Sequence, residues 1–173
     1  MNVLIVIDMQ NDFIDGAMGN STAVAVVPRV AAKIAAYREM GAPIIFTRDT
    51  HTDDYLSTRE GRNLPVVHCV KDTEGWQISE QLDTTDALVV DKGAYGSMDL
   101  PNVIAGLSDV TGIEMVGVCT DVCVISNAMI LKAAFPEWPL VVDASCCAGV
   151  TPQSHQNALD AMKMCHITVV NEG

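Results

Sequence analysis

Positive charge is scarce in this sequence. Ten Lys and Arg stand against 22 Asp and Glu, a formal net charge of −12 in 173 residues. A surface of that sign repels phosphate backbones and anionic lipid, so neither nucleic acid nor a membrane surface is expected as a partner. No uninterrupted apolar run reaches the ~20 residues needed to span a bilayer. The apolar stretch Met1–Ile7 has no basic region before it and no cleavage signature, and it runs straight into Asp8. It reads as a strand and not as a secretory signal. A charged low-complexity block, a linker and an internal repeat are all missing, as is any Gly-rich phosphate loop of Walker or dinucleotide type. The six cysteines (Cys69, Cys119, Cys123, Cys146, Cys147 and Cys165) lack the spacing of a small secreted disulfide framework. Reduced thiols in a cytoplasm fit them better. What is present is 49% hydrophobic residues in a chain long enough for one proper core, expected to be a single domain over residues 1–173.

The apolar segments alternate in type. Runs at 2–7, 43–47, 87–91, 113–118, 140–143 and 166–170 read as strands. Their continuous apolarity suits strands covered on both faces, as in a parallel sheet. Helix patterns fall at about 21–40, 103–107, 124–134 and 151–164. Gly41 and Pro43 close the first; Thr151 opens the last, with Pro152 at its first position. The stretch 52–67 is irregular, and a long ordered excursion in a compact domain is often functional. Residues 76–82 are short helix or irregular chain. Strands alternating with helices imply an α/β fold, a mostly parallel sheet with helices on both faces.

In such a sheet ligands gather beyond the carboxyl ends of the strands. Reactive side chains stand there: Asp8 after the first strand, Asp49 and His51 after the second, Lys92 after the third, and Cys123 in the turn after the fourth. A thiol where a strand feeds a helix lies near the positive end of the helix dipole, which favours thiolate. Asp8 can take the thiol proton, and the charge of Lys92 can lower the pKa of both. The backbone N–H groups of Cys119 and Cys123, on the same turn, are candidate donors to an oxyanion. This set suffices for acyl transfer from an amide through a thioester. The competing readings are that Asp8 caps a turn, Lys92 is a solvated surface group and Cys123 packs as a small hydrophobe. Asp49, His51 and His68, with Glu60 as a further oxygen donor, suit Zn, Mn or Fe with positions left open for water. Against that, His68 can be a satisfied core histidine. A phosphoacceptor-like signalling domain also places acids after its first strand and a Lys after a later one, but it would leave Cys123 without a role. Cys119 and Cys123 are not spaced as Cys-X-X-Cys, which argues against a redox pair.

The motifs Asp8-Met-Gln-Asn-Asp-Phe13, Asp49-Thr-His51, Leu64-Pro-Val-Val-His-Cys69, Asp91-Lys-Gly93 and Gly117-Val-Cys-Thr-Asp-Val-Cys-Val124 follow one another over nearly the whole chain. In that order the chain resembles the isochorismatase-like cysteine hydrolases, and within them the nicotinamidase-like amidases. The resemblance implies a three-layer α/β/α sandwich around a six-stranded parallel, Rossmann-like sheet. It implies Asp8, Lys92 and Cys123 as catalytic triad and a cis peptide between Val118 and Cys119. It also implies Asp49, His51 and His68 as ligands of a divalent metal, Zn with Mn and Fe as alternatives, and Glu60 where some members add a carboxylate. Phe13 matches an aromatic that packs on the substrate ring, and family members are commonly dimers or tetramers, so a homo-oligomer is expected. There is one departure. Many nicotinamidases carry a tryptophan three residues before the second metal histidine, where this chain has Pro65. Phe13, Tyr95 and Trp76 are the aromatics left to face a ring. The implied activity is cleavage of a small amide such as nicotinamide to acid and ammonia. An isochorismate-like vinyl ether or an N-carbamoyl compound are the alternatives within the family, and the metal ligands argue against a plain isochorismatase.

Overall fold

The first strand, β1 (Asn2–Ile7), explains the layering. Its side chains alternate between faces. Val3, Ile5 and Ile7 join one apolar cluster, Leu4 and Val6 a second. All five are fully buried, and each such side chain contributes about 1.5–3 kcal/mol relative to exposure. A strand with two dry faces needs a layer on each side.

A computed structural model describes residues 1–173. The other strands are β2 (Ile44–Asp49), β3 (Leu88–Lys92), β4 (Gly112–Val118), β5 (Leu140–Ala148) and β6 (Thr168–Val170). All pairings are parallel, in the order β3-β2-β1-β4-β5-β6. The helices are α1 (Asn11–Ile14), α2 (Ser21–Glu39), α3 (Arg59–Asn63), α4 (Leu100–Ala105), α5 (Ile125–Ala134) and α6 (Pro152–Met164). Val26, Val27, Val30 and Ile34 of α2 cover one face of the sheet. Leu100 and Ile104 of α4, Leu131 of α5, and Leu159 and Met162 of α6 cover the other. The expected α/β/α sandwich with a six-stranded parallel sheet is therefore what forms. No helix is long and apolar enough to cross a membrane.

The strand order reverses between β1 and β4, and ligand crevices open at such switch points beyond the carboxyl ends of the strands. The backbone is specialised there. Asp8, directly after β1, has φ 47°, and the Val118–Cys119 peptide is cis. Gly117 has φ 121°, and a Cβ on it would lie 2.2 Å from the Ile7 carbonyl oxygen. Glycine is required there on both counts.

Several boundaries differ from those expected. β5 runs five residues past Asp143, to Ala148. Ala144-Ser-Cys-Cys-Ala lacks the β-branched run of a strand, but after a register shift its end pairs with Gly117 and Val118. A π-helical turn over Thr120–Val124 precedes α5, so the regular helix starts at Ile125. The stretch expected to be irregular holds a 3₁₀ turn at Tyr55–Ser57 and the short α3, capped by the Thr58 hydroxyl. The helix expected at 103–107 lies earlier, at Leu100–Ala105. His166 is in a left-handed turn, and the last strand is only Thr168–Val170.

Candidate active site

Four strand ends meet in one closed space. Asp8 is completely buried, and Lys92 and Cys123 are each only 4% exposed. Lys92 Nζ lies 2.6 Å from Asp8 Oδ2 and 3.3 Å from Asp49 Oδ1. It also donates to the Ala94 carbonyl at 3.1 Å and approaches Cys123 Sγ at 3.6 Å. Asp8 Oδ1 accepts from the Thr47 hydroxyl at 2.6 Å, and the Asp8 N–H donates back to that hydroxyl at 3.2 Å. The readings of Asp8 as a mere turn cap and of Lys92 as a solvated surface group do not match this burial and pairing.

The electrostatics follow from burial. Desolvation raises the Asp8 carboxyl above its ordinary value, and Lys92 offsets this only in part. Burial would lower the Lys92 ammonium, but Asp8, Cys123 and Asp49 hold it charged. Burial, then the charge of Asp8, pushes the Cys123 thiol well up, against the lowering effect of Lys92. Desolvation therefore works against the thiolate that the start of a helix was expected to favour. Burial thus disfavours ionisation of the thiol and makes the carboxyl beside it more basic.

The turn after β4 presents a second group. The Cys119 N–H donates to no backbone carbonyl or side chain, while the Cys119 carbonyl accepts from the N–H groups of Val122 and Val124 at 3.1 and 3.0 Å. Below the turn, buried Asn127 accepts from Ser97 N–H at 2.9 Å. Its amide donates to the carbonyls of Cys123 at 2.8 Å and Tyr95 at 3.1 Å. It thus ties the Cys123 turn to the loop after β3.

Asp49, His51, Glu60 and His68 place one donor atom each within 4.8 Å of one another. Nitrogen and oxygen ligands about 2.0–2.2 Å from one zinc ion stand roughly 3.3–3.5 Å apart in a tetrahedron, so the four need only draw in modestly to share one ion. His51 Nε2 is 3.0 Å from Asp49 Oδ2 and 3.6 Å from Glu60 Oε1; His68 Nε2 is 3.6 Å from Asp49 Oδ2. His68 Nδ1 faces the Val66 carbonyl at 2.7 Å. A carbonyl can only accept, so Nδ1 carries the proton and Nε2 is free to ligate. Glu60 Oε1 is buried with no hydrogen-bond partner. Three carboxyls, Asp8, Asp49 and Glu60, stand against the one ammonium of Lys92, which pairs with only the first two, an imbalance that costs several kcal/mol per buried ion unless another cation is present. The residues therefore fit a divalent metal.

The aromatic residues divide. Phe13 is buried and meets the His68 ring edge-on at 5.4 Å between centroids. Tyr95 is 42% exposed at the loop after β3. Trp76 is committed elsewhere: Arg48 lies over its ring at 3.7 Å and its indole N–H donates to Thr50. Pro65 is at the surface. The aromatic that sequence reasoning missed is Tyr55, buried against His51 at 4.6 Å and His68 at 5.1 Å, with its hydroxyl donating to Leu64 O at 2.9 Å. Gln10 was also missed. Its amide brackets Asp49, donating to the Asp49 carbonyl at 2.8 Å and accepting from its N–H at 2.7 Å. Gln10 belongs to a motif visible in the sequence; nothing in spacing marks Tyr55. The largest cleft, about 540 Å³ between α2, the end of β5 and α6, contains none of these groups. The charges, and not the largest volume, mark the chemistry.

Known proteins share this arrangement of chain. The nicotinamidase/pyrazinamidase of Mycobacterium tuberculosis is 28% identical over 186 residues, covering 98% of each chain. The nicotinamidase of Schizosaccharomyces pombe is 25% identical over 207 residues, 98% of this chain and 92% of its own. The crystal structure of the pyrazinamidase of Pyrococcus horikoshii in complex with zinc matches with a TM-score of 0.87 at 30% identity, over 99% of each chain. Residues 2–172 fit the family described as the isochorismatase domain, and to that family the chain belongs.

Proposed function

We propose that the protein is a cysteine amidohydrolase that cleaves a small, heteroaromatic amide such as nicotinamide to the acid and ammonia through a thioester. The observation that carries this is the buried Lys92 ammonium, 2.6 Å from Asp8 and 3.6 Å from Cys123 Sγ. Asp8, made more basic by desolvation, takes the thiol proton, and Lys92 stabilises the thiolate that results. Cys123 Sγ bonds to the carbonyl carbon and the carbonyl π pair moves to oxygen. The N–H groups of Cys119 and Cys123 receive that oxyanion, a role supported by the unengaged Cys119 N–H. Collapse breaks the C–N bond, and the Asp8 proton leaves with the nitrogen as ammonia. Asp8 then takes a proton from water, whose oxygen attacks the thioester; the sulfur departs and recovers that proton as thiol.

Asp49, His51 and His68, with Glu60, would hold the divalent metal, Zn in the first instance and Mn or Fe in the second. Bound there, such an ion supplies a Lewis-acidic point for a ring nitrogen or a water. Phe13 and Tyr95 are proposed to contact the substrate. An N-carbamoyl substrate is the second reading, favoured by the exposed Pro65 in place of a ring-stacking residue. A homo-oligomer is proposed as well, since the outer edge of β3 leaves Leu88 and Val89 half exposed. The six unbridged cysteines support a reducing compartment.

The test is ammonia release from a panel of heteroaromatic amides and N-carbamoyl compounds, comparing wild type with Cys123→Ala. The variant is expected to lose at least about 10³-fold in kcat, as when a covalent nucleophile is removed. Full activity in the variant would reject the mechanism.

A further inference from the structure

The turn from Cys119 to Cys123 carries both the nucleophile and the unengaged N–H, so its position decides the reaction geometry. Two contacts anchor it, one from the β5–α6 connection and one from the first turn of α6. The Val150 N–H donates to both carboxylate oxygens of Asp121 at 3.1 Å. Thr120 Oγ1 and His155 Nδ1 share a hydrogen bond at 2.7 Å. Thr120 is completely buried, next in sequence to Cys119, and His155 is the one side-chain partner of its hydroxyl.

His155 is itself held firmly. It sits in the first turn of α6, which starts from Pro152 and a reciprocal capping box between Thr151 and Ser154. Its Cβ packs so closely on Gly149 that a Cβ there would lie 2.7 Å away. Burial lowers its imidazole below the ordinary value, so at neutral pH the ring is uncharged and Nδ1 can accept the Thr120 proton.

Resting on the amidohydrolase reading for its kinetic part, we propose that His155 is a positioning residue: through Thr120 it fixes the turn that presents the Cys119 N–H and the Cys123 thiol. It touches no reacting atom. A shift of the order of 1 Å in such a turn costs about 10²-fold in rate.

Three variants test this: His155→Ala, Thr120→Val, and His155→Asn, whose side-chain oxygen can stand near the place of Nδ1. Two readouts are taken. The first needs no substrate: the backbone amide resonances of Cys119 and Cys123 in ¹⁵N spectra. These are expected to shift in His155→Ala and Thr120→Val and to return toward wild type in His155→Asn. The second is steady-state hydrolysis of the amide that wild type accepts. There kcat is expected to fall about 10–100-fold in the first two variants, with KM within about threefold and partial recovery in His155→Asn. The His155→Ala/Thr120→Val double variant should be no slower than the worse single one. Unmoved resonances, or an unchanged kcat in a wild type that does turn over, would overturn the proposal. Shifted resonances in a wild type that hydrolyses no amide would retain the positioning role and reject the amidohydrolase reading instead.

Discussion

Lys92 is the residue on which the charges of the site depend. It is the sole ammonium among Asp8, Asp49 and the Cys123 thiol, and its own charge survives burial because those groups surround it. Glu60 and the two histidines lie beyond its reach and bring the unmatched carboxylate. That is the physical reason for expecting a cation there. His68→Ala is expected to lower zinc affinity by at least about 100-fold, because loss of even an outer partner of a metal ligand costs ~10–100-fold. Elemental analysis of variant and wild type after dialysis against a weak chelator measures it. Zinc retained in full by the variant would mean that the four side chains form a buried charge cluster and no more. Asp49, His51 and His68 could be named from motif residues alone. Tyr55 could not, because it lies on a 3₁₀ turn whose existence no periodicity announces.

At the scale of elements, a separate ion cluster pins α2 to the sheet. Lys33 of α2 lies 2.5 Å from Glu114 of β4 and 2.8 Å from Asp143 of β5, and the Tyr37 hydroxyl donates to Glu114 at 2.6 Å. Burial would raise the Asp143 carboxyl, but the bonds from Lys33, Ser145 and Asn171 outweigh it and hold the group below its ordinary 3.8. A carboxyl depressed on folding stabilises the fold above its unfolded pKa, and that contribution is lost as pH falls through the folded one. Asp143→Asn should therefore cost about 1.5–3 kcal/mol at pH 7. The gap to wild type should narrow as pH drops below about 4 in urea titrations. A gap that stays constant with pH would assign the loss to packing. The sequence pattern placed β5 but stopped it at Asp143, since Ala144-Ser-Cys-Cys has no strand signature. Its continuation is dictated by pairing with Gly117 and Val118, which is tertiary information. The π turn ahead of α5 was hidden for the same reason: Cys119–Cys123 reads only as a turn before a helix pattern starting at Val124, and the contacts to Val150 and His155 come from a distant segment.

At the scale of the whole molecule, the layering was legible because β1 is apolar without interruption, and a strand of that kind must be covered twice. The convergence of Asp8, Lys92 and Cys123 was legible only as placement at strand ends. Contact among them depends on strand order, which puts β3 at the far edge yet lets the long Lys92 side chain reach back past β2. The same order shares the strands between the two helical layers. Alternate residues of β1 belong to opposite clusters, as do Met115 and Val116 of β4, so neither helical layer can leave without exposing strands that the other still covers. A single-domain reading of residues 1–173 thus predicts one heat-capacity peak, with calorimetric and van't Hoff enthalpies in a ratio near ~1. Two resolved transitions, or a protease-resistant fragment lacking α2, would show that the layers are separable. In that case the Lys33 cluster, and not the shared sheet, would be what holds α2 in place.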